Sequence, residues 1–135
     1  MNRITLLFCL SLASTLGAAQ ATPANDAHKI PVIDGAAGSC SLDLTVTADS
    51  KPVYAASVKV HIAYGFGGFH KLDLEAATNV DGKVKFVGLP AKVRRQSLEF
   101  RASKDGLSGT LDYDPGTRCQ ATEEIRLAAA PAGTK

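Results

Sequence analysis

Histidine and cysteine are the side chains with which this chain of 135 residues could bind a metal ion. The three histidines, His28, His61 and His70, do not stand in the HxH or HxxxH spacings typical of metal sites, and no cysteine lies near them. His61 and His70 could approach each other across a hairpin, but solvated surface histidines explain them better. We therefore expect no metal site.

Motifs for catalysis are equally sparse. The G-x-S-x-G motif of serine hydrolases does not occur. An iron site of the intradiol-dioxygenase kind would need two tyrosines and two histidines that converge, whereas Tyr64 and Tyr113 fall on apolar strand faces and are interpreted as core residues. The sequence therefore predicts no cofactor and no enzyme activity. A small hydrolase and a metal-binding protein remain as the less favoured alternatives.

The segment from residue 65 to residue 69 carries the most unusual chemistry for binding, because two phenylalanines stand among three glycines. Phe66 and Phe69 either fold over the open end of the domain as a lid or face a partner. Aromatic side chains are frequent contact residues because they bring a large area with few torsions. Our hypothesis is a contact site formed by Phe66, Phe69, His70 and Lys71.

A second candidate surface comprises the basic residues between positions 83 and 101, which are Lys83, Lys85, Lys92, Arg94, Arg95 and Arg101. They could line a patch for an anionic polysaccharide, a lipid headgroup or an acidic partner. A solvated strand face explains them equally well, and acids that could offset them are Asp112, Asp114, Glu123 and Glu124. The formal net charge of +2 is too small to indicate a nucleic-acid partner or a polybasic contact with a membrane.

The compartment is predicted by residues 1–21, which have the features of a secretory signal peptide. Arg3 supplies the positive charge, residues 4–16 are apolar, and small residues stand at Ala19-Gln20-Ala21 before the cleavage site. Cys9 would leave with this segment. No later apolar stretch approaches the ~20 residues that cross a bilayer. We expect a periplasmic or secreted protein without stable membrane insertion after cleavage.

The elements that must position these residues are short β-strands. From residue 40 to residue 48, apolar or small side chains alternate with polar ones, which is the period of a half-buried strand. Six further segments alternate similarly, at 58–64, 72–76, 84–86, 98–102, 111–113 and 125–127. Turn dipeptides follow, with Asp81-Gly82 a strong hairpin signal and Asp105-Gly106 another turn. We predict a β-sandwich domain at 40–127, an extended linker at 22–39 and a disordered tail at 128–135.

The register of one hairpin follows from its side chains. Pairing the strands on either side of residues 65–69 places Ile62 beside Leu72 and Val60 beside Leu74 on the core face. The same register places two opposite pairs on the polar face, which are Lys59 with Glu75 and His61 with Asp73. A slip of one residue would set apolar against charged side chains, so the pattern specifies this register strongly.

Two cysteines, Cys40 and Cys119, remain in the mature chain. An even number of cysteines in an exported chain favours a disulfide over a metal site or a reactive thiol. If every link reverses the chain, the first and last strands run parallel, and both cysteines open their strands at the same end of the sandwich. The sequence therefore predicts a Cys40–Cys119 disulfide, with two unpaired buried thiols as the alternative.

The segments KPVYAASVKV, ATNVDGKVKFVGLPA and LEFRASKDGL resemble the pattern of carboxypeptidase regulatory-like domains, over about residues 42 to 127. The chain departs from that pattern at Lys51 and Ala55, where glycine is usual. The resemblance implies an all-β fold, a seven-stranded antiparallel Greek-key sandwich related to transthyretin (prealbumin). Transthyretin-related ureide hydrolases end in Tyr-Arg-Gly-Ser, whereas this chain ends in Ala-Gly-Thr-Lys, so that activity is not expected.

Members of the resembled family are mostly accessory modules. Together with the signal peptide, this implies a small exported protein of bacterial type. We expect a non-catalytic β-sandwich module that binds an unidentified protein or glycan at the cell envelope. A purely structural spacer in an envelope assembly is the alternative, and no nucleic-acid partner is expected.

Overall fold

The computed structural model describes residues 25–95 and 97–129, which form two β-sheets packed face to face. The predicted all-β sandwich is confirmed. Its elements are α1 (Asn25–His28), β1 (Val32–Asp34), β2 (Cys40–Ala48), β3 (Lys51–Pro52), β4 (Ser57–Tyr64), β5 (His70–Ala77), β6 (Lys83–Leu89), β7 (Leu98–Lys104), β8 (Leu107–Tyr113), β9 (Gln120–Arg126) and β10 (Ala128–Ala129). The described residues thus form ten strands where seven antiparallel ones were expected, and the pairs β1–β6 and β2–β9 are parallel. The predicted signal peptide at 1–21 and residues 130–135 of the predicted tail lie outside the described residues.

The strands are divided between two sheets. The first sheet has the order β1-β6-β2-β3 with β9 on the other edge of β2, and the second has the order β10-β8-β7-β4-β5. β2 and β9 run parallel, with Ser41 opposite Gln120 and Thr47 opposite Arg126. β2 and β9 correspond to the first and last of the predicted strands. Their parallel arrangement, from which the disulfide was predicted, is therefore present.

The core lies between the inner faces of the two sheets, where the alternating pattern places its apolar side chains. Along β2 the even positions from Cys40 to Val46 are buried, while the odd positions and Ala48 are half-buried. Aromatic rings pack edge to face in this core: the centroids of Phe86 and Phe100, which belong to different sheets, are 5.1 Å apart, and those of Phe100 and Tyr113, in the second sheet, are 6.3 Å apart. Such pairs add about 0.5–1.5 kcal/mol to the burial of the rings.

Residues that precede the domain predicted at 40–127 also belong to the first sheet. β1 pairs with β6 in parallel, and the main chain of Lys85 donates to the Pro31 carbonyl at 2.9 Å. Upstream of β1, the Asn79 side chain donates to the His28 carbonyl at 2.9 Å, and His28 Nδ1 lies 2.9 Å from Asp81 Oδ2. The segment predicted as an extended linker therefore begins, in its described part, with a short helix, and from Ala27 to Ala37 it is hydrogen-bonded to the sandwich.

The two aspartate–glycine turns have different roles. Asp105-Gly106 joins β7 to β8 within one sheet as a hairpin, with positive φ at both residues. The prediction of a hairpin at Asp81-Gly82 is wrong, because β5 and β6 lie in different sheets. There the Asn79 side chain accepts hydrogen bonds from the main chain of Asp81 and Lys83, which shapes a crossover between the sheets.

The sandwich has two distinguishable ends. At the tip end, β4, β6 and β8 finish and β2, β5, β7 and β9 begin. At the opposite end lie residues 25–28, next to Asn79 and Asp81, and β10, which pairs with Ser108 and Leu107 at the start of β8. Within the described ranges, no helix is long and apolar enough to cross a membrane.

Candidate functional site

The aromatic tip, residues 65–69, is a tight turn between β4 and β5. Gly65, Gly67 and Gly68 have φ values of 78°, 64° and 70°. Residues other than glycine rarely adopt this left-handed backbone conformation. The main chain of Gly68 donates to the Gly65 carbonyl at 3.1 Å, and that of Phe69 donates to the Phe66 carbonyl at 3.4 Å. The glycines therefore specify a defined turn and do not merely give the tip freedom.

Both phenylalanines of the tip face solvent. Phe66 is 92% exposed and Phe69 is 81% exposed, the largest exposures among the large apolar residues described. The lid over the open end of the sandwich, which was the alternative interpretation, is not what the structure shows. An added Cβ at Gly67 would lie 2.8 Å from the Phe69 ring, so that ring rests against the turn and not on the core.

The other two residues of the predicted contact site follow directly on β5. His70 is opposite Tyr64, and their rings are stacked with centroids 5.3 Å apart. Lys71 is opposite Ala63 and is exposed. The structure thus brings the four predicted residues together along one hairpin, with Tyr64 as a further aromatic ring beneath them.

Basic residues that the sequence pattern did not assign to the tip lie beside it. A bridge joins Tyr64 to Val93, and the main chain of Arg94 donates to the Ala63 carbonyl at 3.0 Å. The aliphatic part of Arg94 packs on Gly68, where an added Cβ would lie 2.6 Å from its Cδ. A shallow depression of about 380 Å³ is lined by Gly65, Gly67, Gly68, Lys92, Val93 and Arg94. Cationic side chains therefore flank the exposed aromatic rings.

The structure divides the basic surface that the sequence suggested. Lys83 and Lys85 lie on β6 of the first sheet, where Lys85 Nζ is 3.5 Å from Asp43. Arg101 lies on β7 and pairs with Glu99 at 2.5 Å. Lys92, Arg94 and Arg95 remain at the tip end. Two acids proposed to offset the patch have other partners in the described chain, namely Glu123 with Arg118 and Glu124 with Arg126.

The outer face of the second sheet confirms the predicted hairpin register. Lys59 is opposite Glu75 with 3.8 Å between their charged groups, and His61 Nδ1 is 2.5 Å from Asp73 Oδ1. These pairs lie in a broad concave surface of about 820 Å³ that extends to Arg94 and Arg95. Exposed pairs contribute only ~0–1 kcal/mol each, so they serve mainly as markers of the register.

The disulfide corner, made of Cys40, Cys119 and residues 113–118, closes the same end. The predicted disulfide is present, with 4.5 Å between the two Cα atoms. The hydroxyl of Tyr113 donates towards the carbonyls of Arg118 and Cys119, at 2.6 and 3.0 Å. Burial raises the pKa of Tyr113, and Asp114 adds to this, while the charge of Arg118 lowers it. This phenol is a structural group and stays protonated at neutral pH.

In the part of the chain that the structure describes, two tyrosines and two histidines do not converge on one site. Tyr113 is buried at the disulfide corner, Tyr64 stacks on His70, and His61 points to the outer face beside Asp73. Tyr54 is 61% exposed, in the connection between β3 and β4. Among residues 25–95 and 97–129, no three His, Cys, Asp or Glu side chains form a group suited to a metal ion.

Comparison with known proteins supports the fold alone. Neither protein-family models nor curated protein sequences give a match. Among solved structures, 3-chlorocatechol 1,2-dioxygenase from Rhodococcus opacus 1CP has a TM-score of 0.51 at 12% identity, over 75% of this chain and 64% of that one. Catechol 1,2-dioxygenase from Acinetobacter radioresistens has a TM-score of 0.50 at 14% identity, over 77% of this chain and 60% of that one. The chain thus spans less than two thirds of these proteins.

The prediction that this chain is not an enzyme is contradicted by these neighbours, since the proteins that share its fold are enzymes. The prediction failed because it rested on missing sequence motifs. On a sandwich, reactive side chains come from separate strands and loops, so a short motif is not needed to assemble a site. At 12% and 14% identity the likeness defines a β-sandwich fold and transfers neither substrate nor reaction.

Proposed function

We propose that this chain is an exported β-sandwich module that binds a component of the cell envelope, and that the aromatic tip is its contact surface. The observation that carries the proposal is the exposure of Phe66 and Phe69, at 92% and 81%. Two large apolar side chains that are held in water by a defined turn cost solvation free energy, which a partner surface would recover. His70 and Lys71 extend the contact surface along β5.

Export is part of the proposal. A disulfide is stable in an oxidising compartment, which supports a periplasmic or secreted location. Intact mass of protein recovered from the exported fraction tests it. We expect a chain that begins at Thr22 and is two hydrogen atoms lighter than its reduced form. A chain that retains residues 1–21, or one that carries two free thiols, would contradict this part of the proposal.

The finer classification of the fold is also a proposal. We infer that the connections follow a Greek key and that the chain is related to carboxypeptidase regulatory-like domains. Support comes from the segment ATNVDGKVKFVGLPA, in which Asn79 shapes the crossover and Gly82 has a positive φ of 71° close to the Val46 carbonyl. An experimental structure with another order of strand connections would overturn it.

The contact surface is tested by replacing Phe66 and Phe69 with serine together. Because neither ring lies in the core, we expect the melting temperature to stay almost unchanged. Capture of the envelope partner on immobilised protein is expected to fall at least tenfold, since aromatic anchors commonly contribute ~2 kcal/mol or more. Tyr54→Ser is the matched control, because it removes an exposed aromatic ring outside the tip.

Two results would contradict the proposal. A large drop in the melting temperature of the Phe66→Ser/Phe69→Ser variant would mean that the rings stabilise the sandwich. Unchanged capture by this variant, with a normal melt, would mean that the contact surface lies elsewhere and would favour a spacer role for the tip.

A further inference from the structure

We propose that the aromatic tip docks on an anionic lipid bilayer, with Phe66 and Phe69 entering the boundary between headgroups and acyl chains. The inference rests on the proposed function and names the chemistry of its partner, which differs from the protein or glycan expected from the sequence. Four cationic side chains border the tip and would face the lipid phosphates, namely Lys71, Lys92, Arg94 and Arg95.

Shape is the first argument. The two rings project from a convex turn at one extreme of the sandwich, and the backbone of that turn is held by positive-φ glycines. A bilayer interface accepts such a projection without a preformed pocket, because lipids rearrange around it, and apolar side chains partition into the boundary of headgroups and acyl chains. The aromatic tip is therefore suited to shallow, reversible docking.

Charge is the second argument. Within the described residues, Lys71, Lys92, Arg94 and Arg95 make no ion pair, although all four are exposed. On the neighbouring outer face, Glu75 is paired with Lys59 and Glu99 with Arg101, whereas Asp73 lies beside His61 and Asp112 makes no ion pair within the described residues. The four basic residues outnumber these two acids, so a net positive charge remains at the tip end. That arrangement complements the phosphates of anionic lipids, where each basic residue strengthens binding about fivefold.

A pocket of suitable chemistry adds a third argument. The depression of about 380 Å³ beside the tip is lined by glycine backbone on one side and by Lys92 and Arg94 on the other. The cationic side chains of Lys92 and Arg94 suit a phosphate group.

The orientation of the chain permits this docking. Residues 25–28 and β10 lie at the opposite end of the sandwich, so the described chain neither enters nor leaves at the tip. The disulfide corner holds the loop from Tyr113 to Cys119 at the tip end. The aromatic tip and its basic border can therefore meet a flat surface.

Sedimentation with lipid vesicles tests the inference. The protein used is the chain recovered from the exported fraction. We expect binding to phosphatidylcholine vesicles that contain about 30% phosphatidylglycerol, little binding to pure phosphatidylcholine, and release in high salt. Lys71→Glu/Lys92→Glu is expected to weaken binding at least tenfold. Its matched control, Lys29→Glu/Lys51→Glu, makes the same change of charge at the opposite end and should shift binding less than twofold.

The aromatic part of the surface has its own variant. Phe66→Ser/Phe69→Ser is expected to lose at least tenfold in vesicle affinity while Tyr54→Ser keeps the affinity of the parent chain. A thermal melt of each variant checks that the fold is retained. Equal binding to neutral and anionic vesicles, or an equal effect of both lysine variants, would overturn the role of the basic border.

Failure of the lipid inference can be told apart from failure of the proposed function. If vesicles do not bind but the double phenylalanine variant loses a protein or glycan partner, the lipid inference is wrong and the contact surface stands. If the variant binds vesicles and envelope components as the parent chain does, both are wrong. If it unfolds at a much lower temperature, the tip is a structural element and both fall together.

Discussion

The aromatic tip and the disulfide corner lie at the same end of the sandwich but are stabilised in opposite ways. At the corner, Tyr113 is 0% exposed, and a covalent bond joins Cys40 to Cys119. At the tip, the largest side chains stand in water, and the turn is defined by local main-chain hydrogen bonds, glycine geometry and the packing of Arg94 on Gly68. The exposure of the tip is therefore not a general loosening of this end of the molecule.

This difference separates stability from contact. The corner contributes burial, hydrogen bonds and a cross-link to the folded state, whereas the rings of the tip add little to any of these. A firm base beneath an exposed pair of aromatic rings also lowers the entropic cost of binding, because the turn is already ordered. We therefore expect variants at the corner to change stability and variants at the tip to change binding.

The largest effect is expected from loss of the disulfide. Replacing Cys40 with Ala and Cys119 with Ser should lower the free energy of unfolding by about 4–5 kcal/mol, because the cross-link spans 79 residues of sequence. Urea denaturation of the variant and of the parent chain measures the difference. A loss below about 1 kcal/mol would mean that the corner is held chiefly by its non-covalent contacts.

The next effect concerns the backbone of the tip. Gly68→Ala should cost about 1–2 kcal/mol, because Gly68 has a φ of 70° and an added Cβ would meet the Arg94 side chain. Gly106→Ala is the matched control, since its φ is 80° and nothing lies within 4 Å of the added Cβ. Denaturation of both variants separates backbone strain from the contact. Equal losses would show that Arg94 moves aside freely.

A third variant tests the hydroxyl of the corner. Tyr113→Phe should lose about 0.5–1.5 kcal/mol, since it removes the hydrogen bond to the Arg118 carbonyl. The folded-state pKa of Tyr113 lies above its ordinary value of 10.0, so this group's contribution is intact below pH 10 and is lost as pH rises above it. The parent chain should therefore lose more stability in alkali than Tyr113→Phe. If the stability of both proteins fell equally as the pH rose above 10, the loss would not come from the titration of Tyr113.

The smallest effect on stability is expected at the tip itself. Phe66→Ser alone should change the free energy of unfolding by no more than about 0.5 kcal/mol, because the side chain is 92% exposed. Chemical denaturation with and without anionic vesicles measures both roles of the residue. A loss of several kcal/mol without vesicles would erase the distinction between tip and corner.

Local pattern predicted most of the strands and one register. Alternation identified β2 and the six longer strands that follow, and opposite charges at Lys59 and Glu75 indicated the pairing of β4 with β5. The disulfide followed from the number of cysteines and the number of chain reversals. The strands and the register depend on the period of two in the side chains, and the disulfide depends on counting cysteines and chain reversals. Both can be read from the sequence alone.

Features set by distant contacts were not predictable in the same way. Asp81-Gly82 indicates a reversal of the chain but not the sheet that receives the next strand. The docking of β1 on β6 and the bridge between Tyr64 and Val93 depend on residues far apart in sequence. That bridge is what places Arg94 beside the tip. The sequence therefore showed the basic residues only as a cluster along the chain and did not show that Lys92, Arg94 and Arg95 lie beside the tip.

The positions of the two ends of the described segment determine how it responds to mechanical force. Residues 25–28 and β10 both lie at the end opposite the tip, so tension between them would peel β1 from β6, and would peel β10 from β8 and then β9 from β2. The peeling stops at Cys40 and Cys119, where the disulfide carries the load and the strands between them stay unstretched. Under tension, only residues 25–40 and 119–129 of the described chain lengthen, by roughly 3.3–3.6 Å per residue at full extension. The aromatic tip would keep its geometry while the chain beneath it is pulled.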